Sequence, residues 1–522
     1  MSPEILPLLL FLVICLVLLL GYPVAFSLGG TALAFAWFGI LTGTFDTAFL
    51  EALPNRLYGI MDNKTLIAVP LFVFMGVMLE RSRVAENLLD TMAILFGPMR
   101  GGLGISVTVV GMLLAASTGI VGATVVTMGL LSLPTMLRRH YDPGISSGII
   151  CAAGTLGQII PPSIVLVLLG DVLSASYQQA QLMQGIYSPE TVSVGDLFVG
   201  AIVPGLLLVM LYLSYVVVVS LYRPEAVPPI PQEEREQEKG LLLRVMMVLM
   251  PPLLLIIAVL GSILGGLATP TEAAGVGAVG ALMLAGYRLN NRAALPVLAG
   301  LTGFVALLLL RWGFGSLGPL IESPQPSLLL VAVLLSCAAV LWGVVVALRV
   351  VRTSGVLGEV MSQTTRITSM VFMIFIGASL FSLVFRGFGG DVVVTELLTN
   401  LPGGVIGAML VVMLVMFLLG FILDFIEITF VVVPIVGPIL LAMGLDPVWL
   451  GVMIAINLQT SFLTPPFGFS LFYLRGVAPA SVSTAAIYRG VIPFILIQLL
   501  MLGMLAYWPE LATWLPDQVY GD

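Results

Sequence analysis

The sequence Gly154-Thr-Leu-Gly-Gln-Ile-Ile-Pro-Pro-Ser163 decides the fold, because it places two adjacent prolines inside an apolar run. The run extends from Ile145 to Leu173 and is long enough to cross a bilayer as a helix. Two prolines remove two amide donors and clash with the preceding turn, so a regular α-helix cannot continue through them. Broken backbone at mid-membrane depth is tolerated only where protein buries it or where it lines a watery cavity. The stretch therefore predicts a helix break at such a place.

A second interruption of the same kind lies in the other half of the chain, at Asn457-Leu-Gln-Thr-Ser-Phe-Leu-Thr-Pro-Pro-Phe-Gly468. Its proline pair follows the first pair by 304 residues, and polar side chains lie beside both. Matched breaks in two halves of a hydrophobic chain are typical of the binding site of a secondary transporter. The alternative, that the prolines merely kink two helices, does not account for the repetition.

The composition places the chain in a bilayer. Of its 522 residues, 59% are hydrophobic and 9% are charged, whereas a soluble domain carries about 25% charged residues. Long apolar runs that can span as helices exclude a β-barrel, whose strands alternate apolar and polar residues. We therefore predict an all-α polytopic membrane protein.

No group of side chains predicts an enzyme or a bound cofactor. The single histidine, His140, follows two arginines at a predicted helix end, and the chain lacks a Gly-x-x-x-x-Gly-Lys-[Ser/Thr] phosphate-binding loop. Cys15, Cys151 and Cys337 all lie in apolar segments, so neither a disulfide framework nor a transition-metal site is expected. The energy for transport must then come from an ion gradient or from another subunit.

About 12 transmembrane helices and two re-entrant hairpins account for the apolar segments. The predicted crossings are 5–20, 23–42, 66–79, 145–173 (broken), 197–218, 245–263, 269–286, 296–310, 327–348, 367–382, 448–474 (broken) and 490–508. The stretches 103–138 and 405–443 are too long for one helix and have polar or glycine-rich tips, so we interpret them as hairpins. Two amphipathic segments, Val84 to Leu95 and Asp391 to Asn400, suit helices that lie at the membrane surface.

The basic residues test this arrangement, because cytoplasmic loops carry an excess of Lys and Arg. With the N-terminus outside, 16 of the 20 basic residues fall on the cytoplasmic side. Those on the outer side are Arg56, Lys64, Arg311 and Arg386. Both termini are therefore expected outside the cytoplasm.

The two halves repeat each other in inverted topology. Leu71-Phe-Val-Phe-Met-Gly76 is echoed by Phe372-Met-Ile-Phe-Ile-Gly377, and an odd number of crossings per half inserts the second half upside down. The first repeat covers 1–222, a cytoplasmic linker covers 223–244, and the second repeat covers 245–522, in which 296–348 is an extra helix pair. Inverted repeats of this kind support alternating access.

Each break exposes backbone carbonyls at the end of one half-helix and backbone amides at the start of the next. Carbonyl and hydroxyl oxygens suit a hard cation such as sodium. The candidate ligands are Ser117, Gly157, Ile160 and Pro162 for one ion, and Asp424, Thr460, Ser461, Thr464 and Pro466 for a second. For Asp424 and the nearby Glu427, a helix cap is the alternative; for Glu272, which follows Thr-Pro-Thr at a helix start, a cap is the preferred interpretation.

Backbone amides at a helix start suit a carboxylate. The breaks and hairpin tips contain no Lys or Arg, and an arginine would be costly to carry through the membrane without its anion. We expect the substrate to be lined by Gln158, Ser163, Asn457 and Thr464.

The motifs resemble the large membrane subunit of tripartite ATP-independent periplasmic (TRAP) transporters, of the ion-transporter superfamily. The resemblance is carried by Pro70-Leu-Phe-Val-Phe-Met-Gly76, Thr269-Pro-Thr-Glu-Ala-Ala274, Leu463-Thr-Pro-Pro-Phe-Gly468 and the first break. It implies a multi-pass protein of the bacterial inner membrane. It also implies sodium-coupled import of an organic acid by an elevator mechanism, in which a transport domain moves against a scaffold. The implied partners are a small four-helix membrane subunit and a periplasmic substrate-binding protein, with no role for nucleic acid.

Two rival functions remain open at this point. A self-sufficient ion-coupled carboxylate carrier of the same superfamily would need no binding protein. A channel or a structural membrane scaffold would need no paired cation sites, and its flux would not depend on an opposing ion gradient.

Overall fold

The computed structural model describes residues 5–82, 84–230, 241–290, 293–314 and 328–521. Every regular element in these ranges is a helix, which confirms the all-α prediction. The centre of the predicted linker, 231–240, lies outside the described residues, as does Asp522.

The described residues of the first half form eleven α-helices, and the long ones follow the apolar runs. They are α1 (Ile5–Leu19), α2 (Val24–Thr42), α3 (Ala48–Glu51), α4 (Leu53–Met61), α5 (Ala68–Arg81), α6 (Val84–Phe96), α7 (Gly102–Thr118), α8 (Val121–Arg138), α9 (Pro143–Thr155), α10 (Ile164–Met183) and α11 (Val194–Tyr222). Helices α7 and α8 occupy the segment predicted as the first hairpin, and α9 and α10 flank the first proline pair. Asp142 begins α9 by accepting a hydrogen bond from Ile145 N at 2.9 Å, which satisfies one of its free amides.

The second half repeats this order after the extra helix pair. Its helices are α12 (Leu241–Leu264), α13 (Pro270–Leu289), α14 (Ala294–Phe314), α15 (Leu328–Thr353), α16 (Val356–Gly387), α17 (Gly390–Thr399), α18 (Gly404–Leu419), α19 (Phe425–Val431), α20 (Val433–Ala442), α21 (Pro447–Leu463), α22 (Phe469–Val477), α23 (Thr484–Tyr507) and α24 (Glu510–Tyr520). Helices α18 to α20 occupy the segment predicted as the second hairpin, and α21 and α22 flank the second proline pair. Asp446 caps α21 through Trp449 N at 2.8 Å, as Asp142 caps α9.

Several helices are long and apolar enough to cross a membrane. By length and composition, the described residues contain seven such helices, or up to nine if each of two bent helix pairs forms one span. Shorter apolar helices, including Ile5–Leu19 and Pro447–Leu463, fall below that length. The chain is therefore a multi-pass membrane protein, and the count of twelve crossings stays a prediction.

Helix α16 differs most from its predicted bounds of 367–382, because it begins at Val356 and ends at Gly387. Its 32 residues extend about 48 Å at 1.5 Å per residue, which exceeds a hydrocarbon core of about 30 Å. The first turns carry Gln363, Thr364 and Arg366 and so escape a search for apolar runs. Three short helices, α3, α4 and α24, were also absent from the prediction.

The two amphipathic helices are present as predicted, as α6 and α17. Helix α6 packs on α7, and the Ser106 hydroxyl donates to the Met92 carbonyl at 2.7 Å between them. Helix α17 packs on α16. Each therefore connects a hairpin to the helix that precedes it.

The long helices pack in two groups. We call α2, α5, α13, α14, α15 and α16 the scaffold group, because they pack on one another. We call α7 to α11 and α18 to α23 the site group, because they pack around the two breaks. Backbones approach closely within the site group: a Cβ at Gly490 would overlap the carbonyl oxygen of Gly144. Such close helix packing through small residues is common in membranes.

Candidate functional site

The first break is formed by a 3-10 turn and a cis peptide bond. Helix α9 ends at Thr155, a 3-10 turn covers Leu156–Gln158, and the Pro161–Pro162 bond is cis before α10 begins at Ile164. Residues 151–159 and 161–170 are buried. The break therefore lies inside protein, where broken backbone is tolerated in a membrane.

The second break has the same proline geometry and a more open position. Helix α21 ends at Leu463, the Pro465–Pro466 bond is cis, and α22 begins at Phe469. Pro466 and Phe467 are exposed, and Thr464 is half-buried. In this structure the second break is thus the more accessible of the two.

A serine hydroxyl repairs each break in an equivalent way. Pro162 and Pro466 lack amide hydrogens, so the carbonyls four residues earlier, those of Gln158 and Phe462, lose their helical donors. The Ser163 hydroxyl donates to the Gln158 carbonyl at 3.1 Å. At the second break, the Ser470 hydroxyl donates to the Phe462 carbonyl at 2.9 Å.

The first hairpin packs directly on the first break. A Cβ at Gly157 would lie 2.7 Å from the carbonyl oxygen of Ala115, near the end of α7. A Cβ at Gly119, at the hairpin tip, would lie 3.0 Å from Ile164 N, where α10 begins. The backbone of Ser117 lies between these contacts in α7, whereas its side chain is outside the described part of the structure. The first hairpin and the first break are therefore in contact, and the first cation site stays a prediction.

The second hairpin is held to the second break by two side chains of α21. Asn457 Nδ2 donates to the Met413 carbonyl at 2.8 Å. One helical turn later, the Ser461 hydroxyl donates to the Phe417 carbonyl at 2.8 Å. Both predicted ligands therefore face α18, and their donor groups are used in fixing the hairpin to the break.

The two breaks are joined at the centre of the site group. Gln459 Nε2 donates to Thr155 Oγ1 at 3.3 Å, and both side chains are fully buried. Nearby in the same buried polar region, Gln498 Nε2 donates to the Tyr212 hydroxyl at 2.8 Å. None of these four residues was among the predicted site residues. The signal for the first pair was available, because Thr155 and Gln459 occupy the same position relative to the two proline pairs.

The predicted threonine ligands keep acceptor capacity. The Thr460 hydroxyl donates to the Ile456 carbonyl, and the Thr464 hydroxyl donates to the Thr460 carbonyl, each at 2.8 Å. A hydroxyl that donates its proton still has lone pairs on oxygen. Thr464 Oγ1 is thus able to bind a cation at the end of α21.

Asp424 and Glu427 form a capping box at the start of α19. Phe425 N donates to Asp424 Oδ1 at 2.7 Å, and Asp424 N donates to Glu427 Oε2 at 2.9 Å. No hydrogen bond between described residues joins Asp424 to Thr460, Ser461 or Thr464. The structure thus gives both carboxylates the capping role that was the alternative, and cation binding by Asp424 stays a prediction. Glu272 forms a capping box with Thr269, as preferred from the sequence.

The four predicted substrate residues occupy different surroundings. Gln158 and Ser163 are fully buried at the first break, and Asn457 is bonded to the second hairpin. Among the described residues, neither amide atom of Gln158 has a hydrogen-bond partner. Buried polar groups normally have partners, and the role of Gln158 toward a substrate stays a prediction. Thr464 is the most accessible of the four.

Comparisons with known proteins cover nearly the whole chain. A family model described as "Tripartite ATP-independent periplasmic transporter, DctM component" matches residues 11–351 and 328–511. The C4-dicarboxylate TRAP transporter large permease protein DctM of Vibrio cholerae is 28% identical over 98% of each chain. The sialic acid TRAP transporter large permease protein SiaM of the same organism is 24% identical over 96% of each. The ectoine/5-hydroxyectoine TRAP transporter large permease protein UehC of Ruegeria pomeroyi is 25% identical over 98% of this chain and 99% of that one.

A solved structure has a similar fold. The Alcanivorax borkumensis YdaH transporter matches with a TM-score of 0.51 and 16% identity, over 89% of this chain and 87% of that one. At this identity the likeness concerns the fold alone. Together, the family match along the chain, the large permease relatives and the paired helix breaks show that the chain belongs to the family of DctM components, the large membrane subunits of tripartite ATP-independent periplasmic transporters.

Proposed function

We propose that this protein imports a small organic acid across the bacterial inner membrane, coupled to sodium, by an elevator mechanism. A periplasmic binding protein delivers the substrate, and a small four-helix membrane subunit completes the transporter. The observation that carries the proposal is the pair of breaks, each packed on a hairpin and joined through Thr155 and Gln459. The protein acts as a permease and not as an enzyme.

Sodium is favoured by the oxygens that the breaks offer. Thr460 and Thr464 supply hydroxyl oxygens, and the prolines remove the helical donors of nearby carbonyls such as that of Gly157. Neutral oxygens suit a hard cation, and a proton relay would need titratable groups such as histidine. The single histidine, His140, follows the cytoplasmic end of α8 and lies far along the chain from both breaks.

The anion is proposed to bind at the helix starts after the breaks. The backbone amides at the starts of α10 and α22 carry a partial positive charge that needs no counter-ion. Bound sodium adds full positive charge only while the site is occupied, which couples the two ligands. The Ser163 hydroxyl accepts a hydrogen bond from Leu166 N at 3.5 Å, which is long. Ser163 is proposed to lie beside the substrate because it stands at the start of α10.

Elevator transport is supported by the division into a scaffold group and a site group. In the proposed movement, the site group carries both breaks and both hairpins across the membrane against the scaffold group. Only a few polar bonds connect α5 and α16 to the site group in the described chain: Glu80 accepts from the Thr127 hydroxyl at 2.8 Å, and Arg386 donates to Gln179 at 2.9 Å. The inverted repeats 1–222 and 245–522 would supply the two alternating states.

The substrate class is proposed from the relatives. Their names assign C4-dicarboxylates, sialic acid and ectoines to different members. The permease fold therefore serves several substrates, and the binding protein is proposed to set much of the choice. Breaks lined by backbone amides and proposed to hold sodium suit an organic acid better than a cationic substrate.

Reconstituted uptake tests this function. The chain is placed in proteoliposomes with its small subunit, the binding protein is added outside, and labelled organic acids are supplied with an inward sodium gradient. Uptake should require the sodium gradient and both partners. Equal uptake driven by a proton gradient in sodium-free buffer would reject sodium coupling.

The same assay separates the rival functions. A self-sufficient carrier would keep full uptake when the binding protein and small subunit are omitted. A channel would pass substrate down its own gradient at a rate that does not depend on sodium.

A further inference from the structure

A cavity of about 390 Å³ lies between the scaffold group and the site group, away from both proline pairs. Its walls come from α4, α10, α16 and the start of α20. The distribution of basic residues predicts that this end of the molecule faces the periplasm. The volume is within the range of small-molecule sites, about 300–1,000 Å³.

Two arginines line this cavity, and both belong to the few basic residues on the predicted outer side. Arg56 comes from α4 and Arg386 from the last turn of α16. Both guanidinium groups therefore bring positive charge to the same cavity. Arg386 donates to Gln179 Oε1 at 2.9 Å, whereas Arg56 forms no ion pair or side-chain hydrogen bond with the described residues.

One carboxylate also lines the cavity, and it is already satisfied. Asp171 accepts two hydrogen bonds from Asn63 Nδ2, at 2.9 Å to one oxygen and 3.0 Å to the other. No ion pair joins it to either arginine in the described structure. The cavity thus holds two cationic groups against one occupied carboxylate, an excess of one positive charge.

We propose that this cavity binds a small carboxylate between Arg56 and Arg386. A carboxylate accepts two parallel hydrogen bonds from a guanidinium group, and a bound anion balances the excess positive charge of the cavity. Ser382 and Ser176, which also line the cavity, supply neutral hydroxyl donors. The binding of a carboxylate in this cavity does not depend on the proposed function. The further step, that this carboxylate is the transported acid held before it reaches the breaks, rests on the proposed function.

The position of the site ties binding to the contact between the two groups. Arg56 and Arg386 lie on helices that pack with the scaffold, whereas Gln179 and Asp171 lie on α10 of the site group. The Arg386 guanidinium has five N–H donors, so a carboxylate can bind it beside Gln179. Binding therefore adds, between the two groups, a link that leaves when the anion leaves.

Protection of an engineered cysteine measures occupancy of this cavity directly. Ala175 lines the cavity and is exposed, so Ala175→Cys places a thiol in it. Cys15 and Cys337 are replaced with Ala, while the fully buried Cys151 remains. The purified full-length chain is labelled with a small neutral thiol reagent in sodium-free buffer, with succinate as the probe.

Succinate should slow labelling of the Ala175→Cys thiol. Neither its neutral diamide nor a sodium-free chloride salt at the ionic strength of the succinate sample should slow it. Arg56→Gln and Arg386→Gln should each raise the half-protecting succinate concentration about tenfold, as expected for the loss of one charge-assisted hydrogen bond. Lys64→Gln removes an exposed positive charge on the same side but outside the cavity, and should leave protection unchanged.

Equal protection by the diamide or by chloride, or full protection in the Arg56→Gln chain, would overturn the proposal. Arg56→Gln breaks no internal bond among the described residues, so it decides the matter even if Arg386→Gln lowers thermal stability. The outcome is independent of sodium-driven uptake. A protein that shows protection and no sodium coupling would retain this site and lose the proposed function.

Discussion

Gln459 Nε2 donates a hydrogen bond to Thr155 Oγ1 across 3.3 Å, and these two residues are equivalents in the internal repeat. Each precedes its proline pair by the same number of residues, since Pro161 and Pro465 are also 304 residues apart. This hydrogen bond joins α9 directly to α21.

Removing one partner of this bond should destabilise the site group. Gln459→Leu removes this donor, while the Thr155 hydroxyl keeps its bond to the Ala152 carbonyl at 2.9 Å. The expected cost is therefore that of one net hydrogen bond, about 0.5–1.5 kcal/mol. Thr155→Val should cost a similar amount. The double variant should cost less than the sum, because both polar groups are gone. Thermal unfolding of the purified variants in one detergent measures this coupling; strictly additive effects would contradict it.

Thr464→Val should weaken sodium dependence and uptake together. Valine keeps the shape of the side chain and removes the hydroxyl oxygen that is available at the end of α21. The sodium concentration for half-maximal uptake should rise about tenfold, as expected for the loss of about 1.4 kcal/mol. The matched control is Thr302→Val on α14, where the hydroxyl also donates within its own helix, to the Ala299 carbonyl.

Unchanged sodium dependence in a folded Thr464→Val chain would count against the second cation site. A substrate-bound structure with an arginine of this chain on the carboxylate at either break would count against binding by helix-start amides.

Ser470→Ala should destabilise the protein about as much as Ser163→Ala. Each substitution leaves a buried carbonyl without its hydroxyl donor, at a cost of about 1–3 kcal/mol. The control is Ser214→Ala, because the exposed Ser214 hydroxyl donates to a carbonyl of its own helix. Denaturant unfolding followed by tryptophan fluorescence compares the three. If Ser470→Ala matches Ser214→Ala, the equivalence of the two breaks is lost.

A cysteine at Gln518 should react with an impermeant reagent added to intact spheroplasts. Gln518 is exposed on α24, and the positive-inside rule places this end of the chain in the periplasm. Glu225→Cys, in the exposed turn after α11, should react only after lysis. The reverse pattern of labelling would invert the predicted topology and place the cavity of Arg56 and Arg386 on the cytoplasmic side.

Most of the helices and their breaks were predictable because their causes are local. The proline pairs at 161–162 and 465–466 prohibit continuous helices by covalent geometry alone, and the long apolar runs predict helices by their transfer energy. The hairpins and the two amphipathic helices follow from the same patterns. Helix α16 was predicted too short because its first turns are polar, and polarity along a chain does not distinguish a loop from a helix that extends beyond the bilayer.

The sequence by itself determined where the helices break, which oxygen-bearing residues lie at the breaks, and that no Lys or Arg does. Only the tertiary structure decided what those residues touch: Gln459 on Thr155, Ser470 on the Phe462 carbonyl, and Asp424 on its own helix start. It also brought Arg56 and Arg386 into one cavity. The physical reason is that a proline acts on its own helix, whereas a hydrogen bond or a charge acts on whatever the packing of distant helices places beside it.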